Sequence, residues 1–329
     1  MRKHLLILTT FIVLLLTSCK EKKSNVFDEK GFTVLKGAVF GTTYYIKYLD
    51  KNSYQKSIDS LFERFNKSLS TYKTDSDISK INKGDTTVVV DDLFIEVFDK
   101  AKKIYEQTDG YFDPTIGKIV DAYGFGSGNE KKNLSKEELA VLMDGVGFDK
   151  VRLKNGRVYR ENDDMEFNVN ALAKGFGVDV VGRFLESKKV HNYLIEIGGE
   201  IRARGKKYGA GWKVGIEKPN IDGTRSFQRV IELNNESMAT SGNYRKFKIN
   251  KKGEKIVHTI NTKTGLAVES NLLSVSVRVK GDCADADAYA TAFLAMGLDK
   301  TKNFLKTHPE LKVVLLYNNK NNELVEYAN

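Results

Sequence analysis

The stretch "DCADADAYATAF" (residues 282–293) places three aspartates at the start of an apolar run that continues to Gly297. Acidic residues favour the first turn of a helix, because the free N–H groups there carry partial positive charge. The apolar residues that follow predict a helix that begins near Asp285. On that helix Asp287 and Thr291, four residues apart, share a face, whereas Asp285 points elsewhere and suits an N-cap or first-turn role.

The shared face of Asp287 and Thr291 has two interpretations. A carboxylate with a hydroxyl is a partial ligand set for a hard cation, which prefers oxygen ligands and keeps waters or substrate phosphates for the rest. The same aspartate could instead serve the helix N-terminus. From the spacing alone, capping and metal binding are equally open for Asp287.

The segments before this helix mix strands and helices without a regular βαβ alternation. The β-rich stretch 32–48 has a glycine break and predicts a strand pair, and Asn155-Gly156 predicts a hairpin turn. Apolar residues at helical spacing, or capping signals, predict helices over 53–70, about 91–107, a segment beginning at Ser135, and about 170–187. This pattern favours an α+β architecture over a doubly wound sheet.

The N-terminus has the layout of a secretory signal. Arg2 and Lys3 precede an apolar run that ends at Leu16 and is too short for a comfortable membrane span. The run leads into "LTSC" (16–19), which resembles a bacterial lipobox and implies cleavage before Cys19 and acylation of that cysteine. The alternatives are an uncleaved anchor and a plain signal with a chance cysteine, and each of these places the folded part outside the cytoplasm. We therefore expect a lipoprotein signal peptide (1–18), a lipidated tether (19–30) and one domain (31–329).

Composition narrows the possible partners. The formal net charge is +10, but the lysines are scattered, with no basic helix and no interleaving of aromatic and basic residues. Nucleic acid is therefore not an expected partner. If Cys19 carries lipid, only Cys283 remains, so no intrachain disulfide can form.

Four further segments carry residues suited to chemistry, each with an ordinary structural alternative. In "TDGYFDPTIG" (108–117), Tyr111, Phe112 and Asp113 suit a flat heterocycle, although Asp-Pro alone favours a plain loop. Lys174 could bind a phosphate at a helix start or extend to solvent. Gly198-Gly199 permits close backbone approach or forms a bulge. His258 precedes a turn and suits a general base, although a lone histidine is more often structural.

Taken together and in this order, eight segments resemble the ApbE family, the FAD:protein FMN transferases. They span nearly all of the chain that would follow the signal peptide. They are "GTTYYIKY" (41–48), "STYKTDSDISKIN" (70–82), "TDGYFDPTIGKIVDAYGFG" (108–126), "NALAKGFGVDVV" (170–181), "LIEIGGEIRARG" (194–205), "MATSGNYRKF" (238–247), "HTINTKTG" (258–265) and "ADAYATAFLAMG" (286–297).

The resemblance implies a fold and an activity. The fold would be a T-fold-like α+β architecture of antiparallel sheets packed with helices. The activity would be Mg²⁺-dependent transfer of FMN from FAD to a threonine or serine hydroxyl of a target protein, through a phosphoester bond and with release of AMP. The implied target lies in a membrane redox complex. A metal-dependent FAD pyrophosphatase and a non-catalytic flavin-binding lipoprotein remain alternatives.

The resemblance also implies roles for particular residues. His258 would be the general base, and the carbonyl of Ala171 with the side chains of Asp287 and Thr291 would hold Mg²⁺. The residues expected to contact FAD are Phe40, Tyr72, Tyr111, Phe112, Asp113, Asn168 and Lys174.

Three residues depart from the family pattern. Asn168 stands where an aspartate is usual, so it can hydrogen-bond but brings no charge. Phe40 replaces a common methionine and should keep a packing role. Thr262 replaces the usual proline of the histidine loop, and we expect a looser turn there.

Overall fold

The structure is a computed structural model that describes residues 26–28, 31–128, 134–220, 222, 224–244, 247–249, 255–268 and 270–329. The signal peptide predicted for 1–18, and Cys19 with most of the tether, lie outside the described residues. None of the helices within those ranges is both long enough and apolar enough to cross a membrane.

A nine-stranded antiparallel sheet forms the centre of the molecule. The strands are β1 (Val26–Phe27), β2 (Phe32–Val39), β3 (Thr42–Leu49), β4 (Val151–Lys154), β5 (Arg157–Arg160), β6 (Tyr193–Ile197), β7 (Glu200–Arg204), β8 (Trp212–Glu217), β9 (Phe227–Leu233), β10 (Ser237–Gly242), β11 (Phe247–Ile249), β12 (Lys255–Val257), β13 (Leu272–Val279), β14 (Lys312–Asn318) and β15 (Leu324–Ala328). The order across the sheet is β1-β2-β3-β6-β7-β10-β13-β14-β15, and β4-β5, β8-β9 and β11-β12 form separate pairs.

The helices of the described ranges lie between these strands in the chain, without the regular alternation of a βαβ fold. They are α1 (Gln55–Leu69), α2 (Asp77–Asn82), α3 (Asp92–Gln107), α4 (Gly117–Ala122), α5 (Lys136–Asp144), α6 (Asn170–Ser187), α7 (Cys283–Met296) and α8 (Leu298–Leu305), with a short 3-10 turn at Phe148–Lys150. The predicted α+β class and the four predicted helices are confirmed. Ser135 and Glu138 form the expected capping box at α5.

Both predicted hairpins are present, and their turns have the expected backbone. Phe40 and Gly41 connect β2 to β3 with φ of 51° and 72°. Asn155 and Gly156 connect β4 to β5 with φ of 51° and 69°. Two successive left-handed residues match the right-handed twist of the strands they join. The first of these turns carries Phe40 to the site described below.

Alternate residues of the sheet pack into different layers, as strand geometry requires. On β14, Val313 and Leu315 join the buried cluster of α3 and α7, while Val314 and Leu316 join the cluster of the β8-β9 hairpin. On β7, Ile201 and Ala203 face that hairpin, so Glu200 and Arg202 face α6. The helix-facing side of β7 therefore carries charges into a buried layer.

The N-terminus of α7 is held by a residue from another helix. The Asp179 carboxylate of α6 accepts hydrogen bonds from the N–H groups of Cys283 and Ala284, each at 2.9 Å. Asp285 lies in the first turn of α7 and is not its N-cap residue. Its carboxylate instead forms an ion pair with Lys100 at 3.1 Å. The first-turn role predicted for Asp285 is confirmed and its N-cap role is wrong, because Asp282 precedes the helix and Asp179 satisfies the free N–H groups.

Candidate active site

One cavity of about 430 Å³ brings together the site residues that the sequence predicts within the described ranges. It lies where the N-terminal half of α6, α7, the β2-β3 turn and the loops around residues 110 and 258 meet. The predicted residues that line it are Phe40, Tyr72, Tyr111, Phe112, Asp113, Asn168, Ala171, Lys174, His258, Asp287 and Thr291. The roles given to these residues stay predictions; their proximity is a property of the fold.

Lys174, a half-buried residue of the cavity, lies beside two buried acids, of which Asp287 lines the cavity and Glu200 lies behind it. The Lys174 ammonium donates to Glu200 Oε1 at 2.8 Å and lies 3.9 Å from Asp287 Oδ2. Burial raises the pKa of both carboxyl groups, and Lys174 opposes this rise. Burial alone would lower the pKa of Lys174, but Asp287 and Glu200 outweigh it and the pKa is raised. The lysine therefore stays positively charged beside the cavity.

Oxygen donors gather next to this cluster. The Thr291 hydroxyl lies 3.3 Å from that of Ser241, on β10. Asp287 Oδ2 accepts from the N–H of Gly175 at 3.0 Å. Gly175 is four residues after Ala171, so this is the N–H that a regular helix directs to the Ala171 carbonyl. A carboxylate, a hydroxyl and a backbone carbonyl form a donor set that fits a hard divalent cation.

The loop after α3 forms one wall. Asp113 is 7% exposed, and its Oδ1 accepts from the N–H and the hydroxyl of Thr115 at 2.8 and 2.6 Å. Burial raises the pKa of Asp113 to about 6. Two lysines approach the Tyr111 ring, with the Nζ of Lys300 4.9 Å and that of Lys263 5.9 Å from its centroid. This wall therefore combines aromatic and charged groups.

Two of the departures from the family pattern have clear packing partners. Asn168 is buried, its Oδ1 accepts from the N–H of Asn170 at 2.9 Å, and its own N–H donates to the Pro114 carbonyl at 2.6 Å. The first contact needs only the side-chain amide oxygen of Asn168 and the second is made by its backbone, so neither requires a charged side chain. Phe40 has the expected packing role, with its ring centroid 4.4 Å from that of Phe65. Tyr72 is 62% exposed and lines the mouth of the cavity.

The loop that carries His258 is held by two buried hydroxyl groups that follow the histidine. Thr259 donates to Asn243 Oδ1 at 2.7 Å, and Thr262 donates to the carbonyl of Gly110 at 2.5 Å. The His258 ring lies 6.2 Å from that of Phe125, edge to face. The Thr262 hydroxyl ties the histidine loop to the loop of Asp113, and the looser turn expected at Thr262 stays a prediction.

Glu200 and Ser241 belong to the site but were not predicted as site residues. Glu200 begins β7 immediately after Gly198-Gly199, which form a hairpin turn with φ of 61° and 102° and not a bulge. A Cβ on Gly198 would lie 2.8 Å from Thr42 Cγ2, so the close approach is real. Strand alternation alone predicts that Glu200 and Ile201 lie on opposite faces of the sheet. It does not predict that Glu200 lies next to Lys174.

Together these groups define a small-molecule site for a ligand with both aromatic and anionic parts, built on a single antiparallel sheet with helices on one face. The ApbE family model matches residues 40–315, and the chain therefore belongs to the ApbE family. The family expected from the eight segments is confirmed.

Known proteins similar to this chain agree in sequence and in structure. It is 34% identical over 310 residues to a FAD:protein FMN transferase of Haemophilus influenzae, covering 89% of this chain and 87% of the relative. It is 33% identical over 298 residues to one of Vibrio cholerae, covering 88% and 86%. The solved flavin transferase ApbE from Vibrio cholerae superposes with a TM-score of 0.80 at 30% identity, covering 90% and 96% of the two chains. The ApbE-like fold is confirmed.

Proposed function

We propose that this protein transfers FMN from FAD to a threonine or serine hydroxyl of a target protein and releases AMP. The single observation that carries the proposal is the convergence of His258, Lys174 and the Asp287–Thr291 face on one cavity. Relatives named FAD:protein FMN transferase, which align over most of this chain, support it.

The reaction is a displacement at phosphorus. The target hydroxyl oxygen attacks the phosphorus on the FMN side of the pyrophosphate, and the bond from that phosphorus to the bridging oxygen breaks as AMP leaves. His258 takes the hydroxyl proton, a contribution of typically about 10²–10⁴-fold in rate. Lys174 binds the phosphates as a point charge. Most of the catalysis is therefore positioning and charge neutralisation.

We propose Mg²⁺ as the cofactor, because the donor set fits a hard cation. The Ala171 carbonyl with the side chains of Asp287 and Thr291 would hold it. A divalent cation supplies charge neutralisation at a transferring phosphoryl group. Tyr72, Tyr111, Phe112, Asp113, Asn168 and Phe40 would contact or support the flavin nucleotide.

We also propose that the protein is a lipoprotein with Cys19 as its acylated residue, bound to a bacterial membrane and facing the periplasm or the outside. Its target would then be a membrane redox complex. The apolar run ending at Leu16 and the "LTSC" stretch support this location.

Incubation of the protein with FAD, Mg²⁺ and a candidate target, with an intact-mass readout, tests the activity. Transfer adds FMN covalently to the target, and His258→Ala should slow it by about 10²–10⁴-fold while FAD affinity changes little. Free FMN formed at the same rate without a target would instead identify a pyrophosphatase. Absence of any AMP release from FAD would leave only flavin binding.

A further inference from the structure

Glu200 is a buried acid that the proposed reaction does not use. Its side chain is 3% exposed, and its Oε2 is buried without a hydrogen-bond partner. Its Oε1 accepts a hydrogen bond from the Lys174 ammonium at 2.8 Å. The same ammonium lies 3.9 Å from Asp287 Oδ2, which is 1.1 Å farther away. Glu200 does not line the cavity, so any effect on a ligand passes through Lys174.

Lys174 therefore has two acids within reach and contacts one of them. Its alkyl chain passes Gly198, where a Cβ would lie 3.4 Å from Lys174 Cδ. An ammonium group in a poorly solvated site is strongly attracted to the nearest carboxylate. Without Glu200, the nearest carboxylate to Lys174 is that of Asp287. An ammonium bound there would compete with any cation for the same oxygens.

We infer that Glu200 is a positioning residue that holds the Lys174 ammonium away from Asp287 and so keeps the Asp287 carboxylate available to a divalent cation. This inference rests on the proposed cation site. It assigns a function to a strand residue that touches neither FAD nor the cation. It also explains why an acid lies unexposed beside a lysine that faces the cavity.

Mn²⁺ binding, measured by electron paramagnetic resonance on the whole protein without FAD, tests the inference independently of turnover. Glu200→Gln keeps the size and one acceptor oxygen but removes the charge, and it should raise the Kd for Mn²⁺ at least tenfold. Adding Lys174→Met to that variant removes the competing ammonium and should restore the Kd to within about threefold of the wild type. Because loss of Lys174 also relieves the stability cost of an unpaired ammonium, the urea-unfolding midpoint of Glu200→Gln is measured as well, and a wild-type midpoint with weaker Mn²⁺ binding excludes a role in folding alone.

Glu196→Gln is the matched control, because Glu196 lies on the same hairpin and accepts from the N–H of Gly199, not from Lys174. It should bind Mn²⁺ like the wild type, and Asp287→Asn should not bind it. Unchanged binding in Glu200→Gln, or no rescue by Lys174→Met in a protein with a wild-type circular dichroism spectrum, overturns the inference.

Two further outcomes separate the inference from the proposal beneath it. Wild-type protein that binds no Mn²⁺ overturns the cation site and the inference with it. If Glu200→Gln does not fold, Lys174→Met and the double variant Glu200→Gln/Lys174→Met are compared, because without the ammonium Glu200 has nothing to hold and the two Kd values should agree within about threefold. A Kd for the double variant that is about tenfold or more above that of Lys174→Met overturns the inference.

Discussion

At the scale of single residues, the site depends on buried hydroxyl and carboxyl groups that connect separate loops. Thr262 is the clearest case, since its hydroxyl connects the histidine loop to Gly110. A proline would rigidify the same turn by fixing its backbone, whereas threonine does so through a hydrogen bond across the cavity wall. At the position where the family usually has proline, Thr262 therefore ties the loop by a hydrogen bond and not by a fixed backbone dihedral.

Thr262→Val should destabilise the protein and slow transfer. The substitution leaves the buried Gly110 carbonyl without its donor, which costs about 1–3 kcal/mol in free energy of unfolding. Urea unfolding measures this cost, and the FAD transfer assay measures the displacement of His258. Thr262→Ser should retain both properties. Thr264→Val is the control, because that exposed hydroxyl only accepts from Leu266 within the same turn; equal losses in the two variants would contradict the role of Thr262.

Asp113 makes stability depend on pH in a predictable direction. Its pKa of about 6 lies above the ordinary 3.8 because the carboxyl is buried. The folded state therefore favours the protonated form, so this contribution to stability is full below pH 3.8 and is lost as the pH rises through 6. Asp113→Asn removes that loss and should be roughly 2–3 kcal/mol more stable than the wild type at pH 7.5.

Urea unfolding of both proteins across pH 4–8 checks this, with the two curves converging at the acid end. Asp109→Asn is the control, since Asp109 lies in the same loop with a side chain that is 91% exposed. A constant difference between wild type and Asp113→Asn at every pH would show that burial does not act on this group.

At the scale of secondary-structure elements, the contact between α6 and α7 places Lys174 next to Asp287. Gly175 makes this contact possible, because a Cβ there would lie 2.5 Å from the carbonyl oxygen of Cys283. The same residue donates its N–H to Asp287. Gly175 thus allows the close approach of α6 and α7 and also holds the Asp287 carboxylate in place.

Gly175→Ala should separate the two helices. The added methyl group meets backbone atoms, which cannot rotate away, so we expect a loss of about 1–3 kcal/mol or more in unfolding free energy and a weaker Mn²⁺ site. Gly177→Ala is the matched comparison: its Cβ would meet the outer edge of the Phe40 ring at 2.5 Å, and a side chain can move. Equal costs in the two variants would contradict the assignment of the close contact to Gly175.

The same two helices show what the sequence could and could not predict. The span of α6 was predicted correctly, since its signals are local in the chain. For α7 the sequence predicts a start near Asp285, whereas the helix begins at Cys283. The reason is that the first N–H groups of α7 are satisfied by Asp179, which is 104 residues from Cys283 in the chain. Glu200 was missed for the same reason: its partner Lys174 is reached only when α6 lies across β7. The other cavity residues were found through the family resemblance, and their proximity required the fold.

At the scale of the whole molecule, β2 connects the first described strand to the cavity. β1 pairs with the beginning of β2 at Thr33 and Val34, and the other end of β2 leads into Phe40 at the cavity. Seven residue steps along β2 correspond to about 23 Å at the usual rise per residue. The predicted site residues all lie at Phe40 or later in the chain, so catalysis should not require the proposed anchor at Cys19.

Replacement of Cys19 tests this separation. Cys19→Ser should move the protein from the membrane fraction to the soluble fraction, because the proposed acylation site is gone, and should leave the rate of FMN transfer to a soluble target fragment unchanged. Transfer to a target embedded in membranes should slow, since the two proteins no longer share a surface. Cys283→Ala is the control: Cys283 is buried beneath α6 and its loss should leave fractionation unaltered. A Cys19→Ser protein that remains with membranes would contradict the anchor, and one that is inactive on the soluble fragment would show that catalysis requires the lipidated cysteine.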